Sequence, residues 1–311
     1  MRNYILQRLL HLVPILIGIT FLSFALMHTV ATDVVDMLFA QSGTANAAAA
    51  AAKRSLLGLD KSFFGQYLTW LGHILHGDMG RSFVTGAPVL TTMVSKLPAT
   101  LELMALALGI TLVVSLPLGI LAAIRKGSIW DQIVRIFSFG GNSLPDFFIG
   151  LLLLYFFAVK WQVFSFLTAA DSLPILPALT LAIAMTAKYM RQIRAIFLDE
   201  LQKEYVQAAL SRGLSASFVL SHYVLRAVLA PLLALLAVSA GSLLGGAAIV
   251  ETIFLWDGIG KLAVDAIMMR DYPIIQAYVI WMSVIYVGVN LLSDLVCMAL
   301  DPRITRQKEE P

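Results

Sequence analysis

Charge is scarce in this chain. Lys, Arg, Asp and Glu together make up 13% of its 311 residues, against roughly a quarter in ordinary soluble domains. So little charge cannot clothe an exterior meant for water. Cysteine is nearly absent. Cys297 stands alone in an apolar run, which excludes an internal disulfide framework and reads as a small buried apolar residue. No G-x-x-x-x-G-K-[ST] loop occurs, so nothing in the chain offers the ring of backbone amides that cradles nucleotide phosphates. The run GIGK, Gly258 to Lys261, lacks both the leading glycine and the hydroxyl residue. Neither H-E-x-x-H nor G-x-S-x-G is present, which removes the usual signs of an intramembrane enzyme. A net charge of +3 with no basic block gives no footing for nucleic acid.

What is there is apolar. Hydrophobic residues make up 59% of the chain and the mean hydropathy is +0.84. A membrane helix needs about 20 mostly apolar residues. Six runs qualify: Arg8 to Asp33, Leu97 to Ile124, Ile133 to Val159, Leu173 to Tyr189, Val224 to Val250 and Ile274 to Leu300. The fourth is short and carries Pro174 and Pro177. The expected fold is an all-α integral membrane protein with six transmembrane helices. The first run follows Arg2 and Arg8 but exceeds the roughly 7–15 residues of a signal-peptide core, so it reads as a retained anchor. The tract from Asn46 to Ala52 is low in complexity and carries no assigned role.

Lys and Arg placement sets the orientation. With the N-terminus inside, 14 of the 22 fall in cytoplasmic segments: Arg2, Arg8, Arg125, Lys126, Arg135, Lys188, Arg191, Arg194, Lys203, Arg212, Arg226, Arg303, Arg306 and Lys308. Five of the other eight lie in the long loop from Asp33 to Lys96. Both termini are therefore expected in the cytoplasm. The organisation reads as an N-terminal helix with a long external loop (1–96), a membrane domain (97–300) and a cytoplasmic tail (301–311). No internal repeat is visible.

The cytoplasmic segment from Met190 to Pro231 carries the most information. Ile193, Phe197, Leu201, Tyr205 and Ala208 or Ala209 share a helical face. Gly213 then offers a helix stop and Ser215 the next N-cap. Phe218, Val219 and His222 lead into the fifth span. Periodicity alone leaves two readings open: an interfacial helix that anchors the bundle, or a docking element.

The run QAALSRG, Gln207 to Gly213, resembles the EAA-x-x-x-G signature of ABC importer permeases, and EYVQAALSRGLS is similar to the form found in the peptide/nickel branch. Further blocks follow in the order of that branch: QRLLHLVPILIGITFLSF near the start, GDMGRS (Gly77 to Ser82), LPATLEL (Leu97 to Leu103), SLPDFFIG (Ser143 to Gly150), GGAAIVETIF (Gly245 to Phe254), RDYPIIQ (Arg270 to Gln276) and LDPR (Leu300 to Arg303). The chain departs from the pattern at Gln207, where the signature has Glu, at Arg226, where the longer signature has Pro, and at Asp257, where relatives tend to have Pro.

The resemblance implies a type I ABC importer permease in a bacterial or archaeal cytoplasmic membrane. Its helix–glycine–helix loop would insert into a cytoplasmic ATPase subunit, with Glu204, Gln207, Ala208, Ala209, Arg212, Gly213, Leu214 and Ser215 as the coupling residues. Two such ATPases would bind ATP and Mg²⁺, this chain holding no cofactor of its own. A homologous second permease would complete the pore, and an external binding protein would deliver the cargo. Polar and small residues at membrane depth are the pore candidates: Asn142, Ser143, Pro145, Asp146, Gly245, Gly246, Asn290 and Asp294, with structural packing as the competing reading. Asp78, Trp256, Asp257, Ile259, Asp271 and Tyr272 are candidates for binding-protein docking or an external gate, and an interfacial anchor competes for Trp256. His73 and His76 have His-x-x-His spacing, but no third ligand is identifiable, so no metal site is assigned. Peptide and nickel cargo both stay open. A channel or secondary transporter working without ATP is the alternative class.

Overall fold

The computed structural model describes residues 2–29, 47–56, 60–162 and 174–300. The expected tail 301–311, with Arg303, Arg306 and Lys308, lies outside the described residues, as do Asp33 and the side chain of Cys297. Among the described residues the fold is helical, with one isolated antiparallel bridge between Arg81 and Pro88. In chain order the helices are α1 (Arg2–Thr29), α2 (Ala47–Leu56), α3 (Phe63–Leu75), α4 (Val89–Ile124), α5 (Ile129–Ser143), α6 (Asp146–Leu154), α7 (Ile175–Leu201), α8 (Glu204–Ser211), α9 (Ala216–Val219), α10 (Leu225–Ile253), α11 (Ile259–Met269) and α12 (Tyr272–Leu300). Wide i→i+5 turns extend α6 through Tyr155–Lys160 and join α9 to α10 through Leu220–Val224.

Three of these stretches are long and apolar enough to cross a membrane by themselves: Val89–Ile124, Ala216–Leu243 and Tyr272–Val296. A fourth span arises if the bent pair 129–143 and 146–160 counts as one. The sequence reads one run there whose helical ladder Pro145 interrupts, and the structure bends it by 96°. Proline explains the break. Leu144 is driven extended, at φ −96 and ψ 134, because the ring of Pro145 disfavours a helical neighbour before it. Pro145 then opens α6 at φ −64. In α7 only the segment before Lys188 is apolar, roughly 20 Å of helix, which is less than the ~30 Å hydrocarbon layer. The charged residues that follow do not end the helix, which runs on to Leu201.

Residues group into two compact units. The first comprises Met1–Ala99 and Asp257–Val287. Its core joins Val89 and Met93 of α4, Ile259 and Ala266 of α11, and Ile274 and Ala277 of α12. Trp281 donates its indole N–H to the Met79 sulfur at 3.3 Å. In the same unit α3, capped by Ser62, lies against α1 through an aromatic cluster that includes Phe21, Phe24, Phe63, Tyr67 and Trp70.

The second unit comprises Thr100–Trp256 and Gly288–Pro311. Helix α7 is its hub, packed by α5, α6 and α10. Tyr189, Ile193 and Phe197 of α7 are fully buried. Glycines bring the neighbours close. A Cβ at Gly141 would stand 2.6 Å from the Ala187 Cβ, and one at Gly119 would stand 2.8 Å from the Ile193 Cγ2. Tyr189 donates its hydroxyl to the Leu235 carbonyl at 3.0 Å, and Thr100 donates to the buried Glu251 carboxylate at 2.7 Å.

Candidate functional site

The elbow between α7 and α10 is built almost entirely by local chemistry. Lys203 is extended, at φ −66 and ψ 145, and opens α8. At the other end Gly213 takes φ +84, a left-handed conformation that suits glycine. Its N–H donates to the Leu210 carbonyl at 2.9 Å, and the Leu214 N–H reaches the Ala209 carbonyl at 3.4 Å. These two bonds form a Schellman stop. Two residues later Ser215 caps α9, its hydroxyl accepting from the Phe218 N–H at 3.4 Å. The stop at Gly213 and the cap at Ser215 fall where the sequence places them. The single helix expected to carry Ile193 through Ala209 is instead interrupted at Gln202 and Lys203.

Val206 and Ala209 turn inward and are buried. Glu204, Gln207, Ala208, Arg212, Gly213, Leu214 and Ser215 face outward. Leu210, Leu214 and Phe218 add exposed apolar surface around the turn, with Phe218 stacked on His222 at 4.3 Å. No atom lies within 4 Å of where a Gly213 Cβ would stand. Within this chain its requirement is therefore backbone handedness and not close approach.

A residue missed by the sequence reading holds the joint. Glu200, in the last turn of α7, is buried and accepts from the Tyr205 hydroxyl at 2.5 Å and from Lys203 Nζ at 2.8 Å. Burial first, and then the Glu200 carboxylate, push the Tyr205 phenol up to about 12. Hydrogen bonding to Glu200 raises the Lys203 ammonium as well. Gln207 donates its side-chain N–H to the Leu201 carbonyl at 3.0 Å, a bond that a carboxylate at this position has no hydrogen to make when ionised. Higher on α7, Arg194 binds Asp131 of α5 with Nε at 2.5 Å and Nη2 at 2.9 Å. The Gly127 N–H also donates to Asp131, at 2.9 Å.

The pore candidates are spread over four helices, α5, α6, α10 and α12. Asn142, Ser143, Pro145 and Asp146 surround the α5–α6 break and are exposed. Ser143 bonds back to the Phe139 carbonyl at 2.8 Å. Asp146 comes beside Gly246 of α10, where an added Cβ would lie 3.4 Å from its Oδ2. Gly245 faces open space. Asn290 and Asp294 lie on α12, both partly buried. The tight glycine contacts at Gly119 and Gly141 gave no signal in the sequence beyond the residue type.

In the first unit the GDMGRS block folds onto the RDYP block. The Ser82 hydroxyl bonds to Asp271, and the Phe83 N–H donates to the same carboxylate at 3.0 Å. Asp78 accepts from the Gly80 N–H at 2.8 Å, which, ahead of His73, holds its carboxyl below the usual range. Asp257 is exposed and pairs with Lys96, while Trp256 and Tyr272 are partly buried. Ile259 and Asp271 are buried in their own unit, so they support the surface and do not form it. His73 pairs with Asp78 at 3.3 Å and His76 with the Gly72 carbonyl at 2.7 Å. Among the described residues no group of three His, Cys, Asp or Glu side chains is placed to hold a metal.

Sequence comparison agrees with this architecture. Residues 115–306 match the family described as "Binding-protein-dependent transport system inner membrane component", and residues 1–104 match its companion, "Binding-prot-dependent transport system membrane comp, N-term". Two Staphylococcus aureus proteins named nickel import system permease protein NikB, from strains MRSA252 and N315, are each 35% identical to it. The first aligns over 99% of this chain and 93% of its own length, the second over 98% and 93%. A solved structure of the MetNI methionine ABC transporter in an inward-facing conformation superposes with a TM-score of 0.55 at 16% identity, covering 68% of this chain and 97% of that one. A second crystal form gives 0.56. At that identity the likeness concerns the fold.

The chain belongs to the binding-protein-dependent transport system inner membrane components. It is a multi-pass membrane protein and the permease subunit of an ATP-driven importer of the nickel/peptide branch.

Proposed function

We propose that this permease forms half of a translocation pathway for nickel or a nickel chelate and is driven through the α8 elbow. The observation that carries the coupling role is the exposed helix–glycine–helix turn, fixed by the Gly213 stop and the Ser215 cap. The full-length 35% identity to permeases named for nickel import favours nickel over peptide. In this reading the six apolar runs all cross the membrane and both termini are cytoplasmic. A homologous second permease supplies the other half of the pore. Two ATPase subunits bind ATP and Mg²⁺ and hydrolyse the nucleotide, while an external binding protein selects the cargo.

Glu204, Gln207, Ala208, Arg212 and Leu214 then form the face that meets the ATPase, with Gly213 and Ser215 setting its shape and Ala209 backing it. Asn142, Asp146 and Gly246 line the pathway at the helix break, with Asn290 and Asp294 as further lining positions on α12. Asp78, Asp257 and Trp256 lie on the binding-protein side, with Tyr272 next to the buried Asp271.

Copurification from mild detergent tests the assembly, and uptake of radiolabelled Ni²⁺ by vesicles holding the complex and its binding protein tests the cargo. ATP-dependent Ni²⁺ uptake is expected. Uptake of peptide but not Ni²⁺ would move the cargo to peptides, and uptake indifferent to ATP would remove the coupling reading.

A further inference from the structure

Helix α3 has three faces. At about 100° per residue, Phe63, Tyr67, Trp70 and Ile74 fall on one side. Three of these belong to the aromatic cluster on α1, and Tyr67 Oη lies 3.2 Å from Thr20 Oγ1. A second side carries Phe64, Leu68, Leu71 and Leu75. Phe64 is 65% exposed, Leu68 63% and Leu75 78%. The third side carries Gly65, Gln66, Thr69 and His73, whose polar side chains bond locally.

One side is covered by α1 and one is polar. The remaining side is a run of large apolar groups over three turns, on a helix with no Asp, Glu, Lys or Arg. Its support, α1, exposes apolar residues of its own, Ile17 on the side that meets α3 and Leu22 and Leu26 on the side away from it. The Phe21 ring of α1 stacks on Phe64 with centroids 6.4 Å apart, which joins the two apolar surfaces. The Tyr67 hydroxyl is buried against Thr20, within the apolar stretch Val13–Leu26 of α1.

We infer that α3 is a membrane-seated helix lying at the bilayer interface, with Phe64, Leu68 and Leu75 among the acyl chains and Thr69 and His73 toward water. The segment between the first two spans is then held to the lipid surface, and the GDMGRS turn that follows α3 starts from a fixed height. Interfacial helices bind through this division of one apolar and one polar side. The choice of the external leaflet rests on the orientation proposed above. The seating itself does not.

The test uses the complete complex in vesicles of phosphatidylethanolamine and phosphatidylglycerol. Cys297→Ser removes the native thiol, and nitroxides are attached to single cysteines at Phe64→Cys, Leu68→Cys, Leu75→Cys, Thr69→Cys and His73→Cys. Collision with oxygen reports lipid, and collision with chromium oxalate reports water. The oxygen-to-chromium ratio is expected to be several-fold higher at 64, 68 and 75 than at 69 and 73. Equal chromium access at all five positions would overturn the inference, placing α3 in water. Shielding of 64, 68 and 75 from both reagents would also overturn it, because a protein partner would then cover that side. Labelling of Thr69→Cys on intact cells with an impermeant maleimide reads the orientation separately. A wrong leaflet and a wrong seating therefore give different results.

Discussion

Arg194 holds Asp131 with two nitrogens, Nε at 2.5 Å and Nη2 at 2.9 Å, across 63 positions of sequence. The Asp131 side chain is 2% exposed. It also accepts from the Gly127 amide, so the turn between α4 and α5 is tied to the helix that leads into the elbow.

Removing one partner of such a pair strands the other. Arg194→Met should lower stability by about 3 kcal/mol, because the buried carboxylate keeps only the Gly127 amide and the more distant Arg135, whose Nε lies 3.9 Å away. The double variant Asp131→Asn with Arg194→Met should lose less than the sum of the singles. Thermal unfolding of the detergent-solubilised complex measures both, and strict additivity would mean that the pair does not act as a unit.

Gly213 separates handedness from crowding. An L-residue in the left-handed region costs about 1–2 kcal/mol, and Asn tolerates it best. Gly213→Asn should therefore keep most coupled uptake, while Gly213→Val should lose it, since β-branched residues are true outliers at positive φ. Equal loss in both would show that the partner packs against this position. Transport-coupled ATP hydrolysis is the readout.

Tyr205 carries a pH signature. Its phenol is raised to about 12 from an ordinary value of 10. The protonated form is thus the one favoured by folding. Its contribution is fully present below about pH 10 and fades as pH rises toward 12. Stability of the parent minus that of Tyr205→Phe should be flat from pH 7 to 9 and fall above that range. A difference that grows with pH would contradict the Tyr205–Glu200 bond.

Glu200→Ala should loosen the joint between α7 and α8. Tyr205 and Lys203 are exposed, so the loss of their acceptor costs about 0.5–1.5 kcal/mol per bond. Transport per ATP hydrolysed should fall several-fold, more than in Tyr205→Phe. Unchanged stoichiometry in a properly assembled complex would assign Glu200 a packing role only.

The glycines divide cleanly. Gly141→Ala places a methyl against Ala187, and overpacking of this kind costs about 1–3 kcal/mol. Gly245→Ala meets open space and should change stability by less than about 0.5 kcal/mol. Melting temperatures of the two variants provide the comparison.

The parts legible in the sequence were those decided by a few adjacent residues. Pro145 forces a break because it lacks an N–H and constrains Leu144. Gly213 and Ser215 mark the elbow for similarly local reasons. The rest depends on distant partners. Nothing near Asp131 announces Arg194, and nothing in GDMGRS announces Asp271, 189 positions away from Ser82. Nothing in the sequence singles out Glu200, which meets Tyr205 and Lys203 only in the fold. Ile259 was read as part of an external gate, yet it fills the core between α4 and α12. Small size at membrane depth pointed to Gly245 and Gly246, whereas the tightest contacts fall at Gly119 and Gly141, because only the neighbour across the gap decides which glycine is needed.

The elbow's shape does not wait for a partner. The Schellman bonds at Gly213, the Ser215 cap, the Gln207 bond to Leu201 and the Glu200 clamp are all made within one chain. Docking onto such a preorganised turn spares the ordering entropy that a floppy loop would lose at contact, a cost that reaches about 0.5–1.5 kcal/mol for each immobilised side chain. In the proposed coupling role, engagement and release can then be frequent without being weakly specified.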